Sequence, residues 1–211
     1  MKTLTAIMLS TFILVEVSAH DKYLELMGKN IQAIYTAKTP EQYQEAINTF
    51  ERIAAAEKTK WEPYYYCAFG WLMLANNEAD ISKKDAYADK AMEAVALGRE
   101  INSTESELIA MEAFALMIKV KADPAKRGPE LSPKAYQLLA QAIEKNPDNP
   151  RAIALLAQMQ MGTARFLGMP MTEACANATK ASEKFSSFKT DNPLAPTWGK
   201  TMTETLLKNC N

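Results

Sequence analysis

Sulfur and aromatic side chains are the groups in this 211-residue chain whose spacing could support chemistry. Met159 and Met161, then Met169 and Met171, then Cys175 offer soft sulfur donors of the kind that select Cu(I). Met159 and Met161 stand two apart on what reads as a helix, so they point in different directions, and methionine commonly fills irregular helical cores. Core packing is therefore the first expectation for them, with a Cu(I) site the alternative. Aromatic residues crowd one stretch: Trp61, Tyr64, Tyr65, Tyr66, Phe69 and Trp71. One helical stripe cannot hold them all, so some of these rings must turn away from the nearest helix partner.

Catalytic arrangements find little support. His20 is the only histidine, which rules out an internal Ser-His-Asp or Cys-His constellation and a histidine metal site. The seven glycines are not grouped as a phosphate-cradling loop. Carboxylate pairs such as Glu105/Glu107 and Glu41/Glu45 have acid–base capacity in principle, but solvated helix faces explain them better. A formal net charge of −1 nominates no nucleic acid or other charged partner. The expectation is a protein that is not an enzyme, with no cofactor and no resident metal.

The chain's start reads as an export signal. Lys2, the apolar run Leu4 to Val15 and the small-x-small sequence Val17-Ser18-Ala19 give a secretory signal peptide over residues 1–19, with the mature chain, residues 20–211, beginning near His20. The product is expected in the periplasm or outside the cell, with no membrane span. In such an oxidising compartment Cys67, Cys175 and Cys210 must be weighed together. Cys67 reads as a buried small hydrophobe. Cys175 and Cys210 lie on the last helices, where they either form a disulfide or, as expected here, remain free thiols.

The elements that must position these groups are all helical. Apolar residues at helical spacing predict helices from Asp21 to near Lys38, from the Thr39-Pro40-Glu41-Gln42 capping box to about Glu57, and from Trp61-Glu62-Pro63 to Asn76. Further helices are predicted over about Lys83 to Glu100 and from the Asn102/Glu105 cap to about Lys121. Pro133, Pro150, Thr172 and Pro196 open the rest, and Asp123 to Ser132, with Pro124, Gly128 and Pro129, reads as the longest loop. The clearest unit is Lys134 to Ala157: two apolar-striped helices around Pro147-Asp148-Asn149-Pro150, with Asn149 as cap. No alternating β-pattern competes.

These hairpins recur about every 45 residues, with Ala46, Ala91, Ala135 and Ala181 in register on the second helices. Four residues later stand Phe50, Val95, Leu139 and Phe185, while Tyr64, Ile109, Ile153 and Trp198 align on the first helices, with Ala68, Ala113 and Ala157 after them. In this pattern the chain resembles the tetratricopeptide repeat (TPR) family, although that repeat is about 34 residues long. The resemblance implies an all-α, right-handed array of about four antiparallel helical hairpins. It also implies that first helices line a concave face. Carried over residue by residue, that lining includes Glu62, Tyr65, Phe69, Phe114, Met117, Arg151, Gln158 and Met161, an apolar groove with a charged rim. The family's Lys/Arg/Asn set for clamping a peptide carboxylate is not present there. The implied function is a non-catalytic, exported interaction or scaffolding module that holds a protein or peptide partner of the cell envelope, such as an amphipathic segment. The alternative is a small-ligand or Cu(I)-binding protein using Met and Cys sulfurs. A third possibility is that the groove is filled by the chain's own first helix or is simply core.

Overall fold

The computed structural model describes the backbone of residues 3–210 and the side chains of residues 20–210, so the expected signal peptide falls on side chains outside them. Among the described residues there are nine helices and no strands: α1 (Thr3–Thr36), α2 (Pro40–Ala56), α3 (Glu62–Asn77), α4 (Ile81–Ile101), α5 (Ser106–Ala122), α6 (Pro124–Lys145), α7 (Pro150–Leu167), α8 (Thr172–Ser187) and α9 (Lys200–Lys208). None is long and apolar enough to cross a membrane.

The helices start where capping chemistry puts them. Thr39 accepts from the Gln42 backbone N–H while the Gln42 side chain accepts from the Thr39 N–H, completing a capping box with Pro40 in the first turn. Asn149 accepts from the N–H groups of Arg151 and Ala152, and Pro150 follows it. Asp80 and Glu105 cap α4 and α5 in the same way.

Short connections fold the chain into antiparallel hairpins, α1 with α2, α3 with α4, α5 with α6 and α7 with α8, and α9 closes the end against α7 and α8. Packing then orders the layers. α3, α5 and α7 touch one another in turn, whereas α2, α4, α6 and α8 do not. α3 and α5 are apolar nearly all round and correspondingly buried nearly all round. The register read from the sequence holds in the core: Ala46, Ala91, Ala135 and Ala181 are all at most 3% exposed, and Ala68, Ala113 and Ala157 are wholly buried. Alanine at these crossings lets neighbouring helices approach closely, which explains why a small side chain recurs there.

Several expectations are corrected. Asp123 to Ser132 is not a loop but the first part of α6, with Pro129 and Pro133 inside the helix. Its start is held by the Asp123 side chain accepting from the Lys126 N–H, and by Arg127, which grips Asp85 of α4 with bonds of 2.6 and 2.7 Å. That fork-to-fork pair, on a well-capped first turn, offsets the ladder bonds the prolines remove. The ninth helix starts at Lys200, not Pro196, so Trp198 leaves the helical register. Cys175 and Cys210 form a disulfide rather than free thiols, joining α8 to the second residue after α9. Cys67 is buried and unpaired, as expected.

Residues 188–199 form a strap that lies in the concave face. Trp198 packs between Phe69 and Phe114, with ring centroids 5.7 and 6.0 Å away, and its Nε1–H donates to the Tyr65 hydroxyl at 2.7 Å. Tyr66 donates to the Leu194 carbonyl at 2.8 Å, and the Thr197 N–H donates to the Tyr35 hydroxyl at 3.2 Å. Beneath the strap Arg151, 1% exposed, makes an ion pair with Glu107, 7% exposed: Nε donates to Oε1 at 2.8 Å and Nη2 reaches the same oxygen at 2.7 Å. Arg151, expected at a charged rim, and Glu107, expected on a solvated helix face, are therefore a buried pair. Burial, with Glu107 beside it, pushes the Tyr65 phenol well above its usual pKa, so it stays protonated and donates to Glu107 Oε2 at 3.4 Å. The strap turns into α9 at Gly199, φ 108°, where an added Cβ would lie 2.6 Å from the Phe185 ring. No other residue type fits that turn without strain.

Two outcomes test this arrangement. Arg151→Met should lower the unfolding free energy by about 3–5 kcal/mol in denaturant titrations, because Glu107 is left buried and uncompensated, and E107L added to it should recover part of the loss. Replacing both Cys175 and Cys210 by Ser should cost about 2–4 kcal/mol and speed amide exchange in α9 ahead of the other helices.

Candidate functional site

Where the strap ends, the concave face opens into a pocket of about 1020 Å³ between the C-terminal halves of α5 and α7, the first three turns of α6, and α9. α5 contributes Phe114, Met117, Ile118 and Lys121, and α7 contributes Gln158, Met159, Met161, Arg165 and Phe166. α6 supplies Pro124, Pro129, Pro133 and Tyr136, and α9 closes one side with Leu206 and Asn209. Apolar side chains dominate, as in pockets that hold small molecules.

The lining has an inside and an outside. α5 and α7 both enter at the strap and run towards the mouth, so Phe114 and Gln158 lie innermost while Lys121, Arg165 and Phe166 stand at the rim. Phe114, Met117, Met159, Met161 and Leu206 are buried, Gln158 is half-buried, and Lys121, Arg165 and Phe166 are exposed. Beyond the rim, Gly168 ends α7 in a left-handed turn, φ 67°. Phe166, Leu167 and Met169 around that turn are 58%, 59% and 56% exposed, an apolar lip of the sort that marks a contact surface.

The wall opposite the methionines is stiff. Pro129 and Pro133 lie one helical turn apart on α6 with Tyr136 close to the same face, and the Tyr136 hydroxyl donates to Thr163 Oγ1 at 3.0 Å, tying α6 to α7. Met117, Met159 and Met161 form the pliable side. Both Met159 and Met161 line the cavity, although two positions apart on α7. One polar atom stands out: Gln158 Oε1 is buried with no hydrogen-bond partner among the described residues.

A metal contact here would have to use soft or phenolic groups. No cluster of three or more His, Cys, Asp or Glu that could hold a metal occurs among the described residues. The thioethers of Met117, Met159 and Met161 and the Tyr136 phenol are the candidate ligands on the pocket wall. The Met169/Met171/Cys175 set loses its thiolate, because Cys175 is bonded to Cys210.

The residues expected from sequence divide into two groups. Tyr65, Phe69 and Arg151 lie beneath the strap, and half-buried Glu62 accepts from Asn192 of the strap at 3.4 Å. Met117, Gln158 and Met161 line the pocket, and Phe114 serves both places, with the strap's Trp198 stacked on it. The α6 prolines, Tyr136, Phe166 and Leu206 are additions that the sequence reading does not contain. Reading residues 123–132 as a loop removes one wall, although the proline pair with Tyr136 close behind is a visible helical-face signal.

No protein-family model matches the chain, and no curated protein matches it. Among solved structures, it is similar to the HusA haemophore from Porphyromonas gingivalis, with a TM-score of 0.80 and 26% identity over 89% of this chain and 92% of that one. It is also similar to the TPR protein TTC0263 from Thermus thermophilus, with a TM-score of 0.58 and 17% identity over 92% and 95%, a likeness of fold alone. The chain is thus a TPR-like array of helical hairpins, similar over most of its length to a haemophore.

Proposed function

We propose that this protein is an exported, non-catalytic binding module whose pocket takes a flat, apolar ring compound carrying carboxylates, of the haem class. The observation that carries this reading is the pocket itself: about 1020 Å³ walled by Met, Pro, Phe and Leu side chains, with the cations Lys121 and Arg165 at its mouth. A planar ring buries its faces between the methionines of α5 and α7 and the prolines of α6. Its carboxylates stay at the rim, where Lys121 and Arg165 attract them. The similarity to a haemophore at 26% identity supports the same class. Burial of the ring supplies most of the affinity, and the Met thioethers or the Tyr136 phenol are the groups available to an iron. Export is supported by the Lys2 to Ala19 pattern and by the Cys175–Cys210 disulfide, a bond that persists in oxidising compartments.

A second reading keeps a protein partner in the same pocket. The exposed Phe166, Leu167 and Met169 favour an amphipathic segment that lays its apolar face over the lip.

Titration of the mature chain with haemin, followed by visible absorbance, tests the first reading. Saturable binding is expected. The double charge reversal K121E/R165E should weaken it about fivefold or more and remove most of its salt dependence, with helicity unchanged. Absence of any spectral change would sink the haem-class reading and leave the amphipathic segment, for which a photo-crosslinking side chain at position 166 is the test.

A further inference from the structure

Glutamine is an odd residue to find on the wall of an apolar pocket. Gln158 is half-buried on α7 between the strap and the methionines, lines the cavity, and has its Oε1 buried with no partner among the described residues. A buried acceptor left without a donor destabilises the free protein, and an ordered water or a ligand that donates to it removes that cost. Among the other polar side chains of the wall, Tyr136 bonds Thr163, Lys121 and Arg165 are exposed at the rim, and Ser132 is half-buried on α6. The terminal amide of glutamine turns about its last bond over a broad, shallow profile, so its oxygen swings into the cavity without disturbing the helix.

We propose that Gln158 is the specificity-determining residue of the pocket, its amide oxygen accepting a hydrogen bond from a donor at the centre of a bound tetrapyrrole. The inference rests on the haem-class reading above and deepens it. With the carboxylates held at the rim by Lys121 and Arg165, the ring's leading half and centre lie among Phe114, Met161 and Gln158. The donor available there is the O–H of water on a ferric centre, because the inner N–H groups of a flat metal-free porphyrin lie in the ring plane and do not point at an acceptor above its face. A metal-free ring or a four-coordinate metalloporphyrin offers no such donor. The pocket therefore discriminates by what sits at the ring centre and does so without histidine.

The test compares three probes of the same outline: metal-free protoporphyrin, nickel(II) protoporphyrin and ferric haemin, of which only haemin carries water on its metal. The wild-type protein should bind ferric haemin about five- to tenfold more tightly than either of the other two rings, the effect of one hydrogen bond to a buried amide. Q158M, which keeps the chain length and removes the amide, should abolish that preference while raising the melting temperature of the free protein. Equal affinity of the wild type for all three probes overturns the role of Gln158 but leaves the haem-class reading intact; so does a preference that survives in Q158M. No binding of any probe by the wild type overturns both. The wild-type comparison needs no variant, so a poorly folding Q158M does not rescue the proposal.

Discussion

The Glu107–Arg151 pair is the constraint on which the rest of the structure depends. Both residues sit on inner helices, at positions the repeat register makes equivalent, and both are stripped of water. Taking the two charges out of water costs several kcal/mol each, and their attraction offsets this only if the geometry is tight and the remaining donors find partners. Those conditions are met: Nε reaches both carboxylate oxygens, Tyr65 donates to the same carboxylate, and Phe188 covers the guanidinium face at 4.8 Å. An apolar core would allow α5 and α7 to slide by part of a turn. The ion pair does not, because any slip leaves a charge buried and alone.

From that pair the strap follows, and from the strap the pocket. Tyr65, held by Glu107, accepts from Trp198, which in turn lies against Phe69 and Phe114. Residues 188–199 thereby occupy the half of the concave face nearest the starts of α3, α5 and α7, where a helical-repeat groove would otherwise receive an extended segment. The other half stays open, because α9 turns away at Gly199 and is tied back to α8 by the Cys175–Cys210 disulfide. Phe114 forms the boundary, with Trp198 stacked on it and the cavity beside it. The strap thus fixes the pocket's inner end, and α9 fixes one of its sides.

Local signals in the sequence are strong enough to settle the architecture. The Thr39 capping box, the Asn149-Pro150 start and the alanines at the helix crossings each rest on short-range chemistry, and each is found where the pattern puts it. What cannot be read depends on distant partners. Pro124, Gly128 and Pro129 are loop residues by any local rule, and only Arg127 gripping Asp85 of α4, 42 residues away, shows why a helix tolerates them. Trp198 falls into the repeat register by spacing, yet Gly199 and the Tyr65 hydroxyl draw it into a strap. Arg151 reads as a rim residue and Glu107 as part of a solvated helix face because charges usually face solvent; their burial rests on pairing across 44 residues, which no window of sequence contains. Half of the site, Phe114, Met117, Gln158 and Met161, comes from the register, and the half on α6 and α9 is lost with those elements.

The composition of the pocket walls bears on how firmly a ligand would be held. Dispersion and apolar burial are non-directional, so a ring kept by Met and Pro contacts gains affinity from area without a bond that must be broken in one step. A histidine–iron bond would act the other way, adding affinity that a recipient must overcome, and the lone histidine of this chain, His20, is on α1, away from the pocket. The two walls divide the work between them. Pro129 and Pro133 restrict the α6 side to one shape, which would favour a flat ligand, while Met117, Met159 and Met161 could adapt to the substituents of such a ring. Selectivity in such a site has to come from its few polar atoms. Lys121 and Arg165 can attract any carboxylate, so under the haem-class reading the task of telling one flat ring from another would fall to polar atoms deeper in the walls, among them the Gln158 amide, the Ser132 hydroxyl and the Tyr136 phenol.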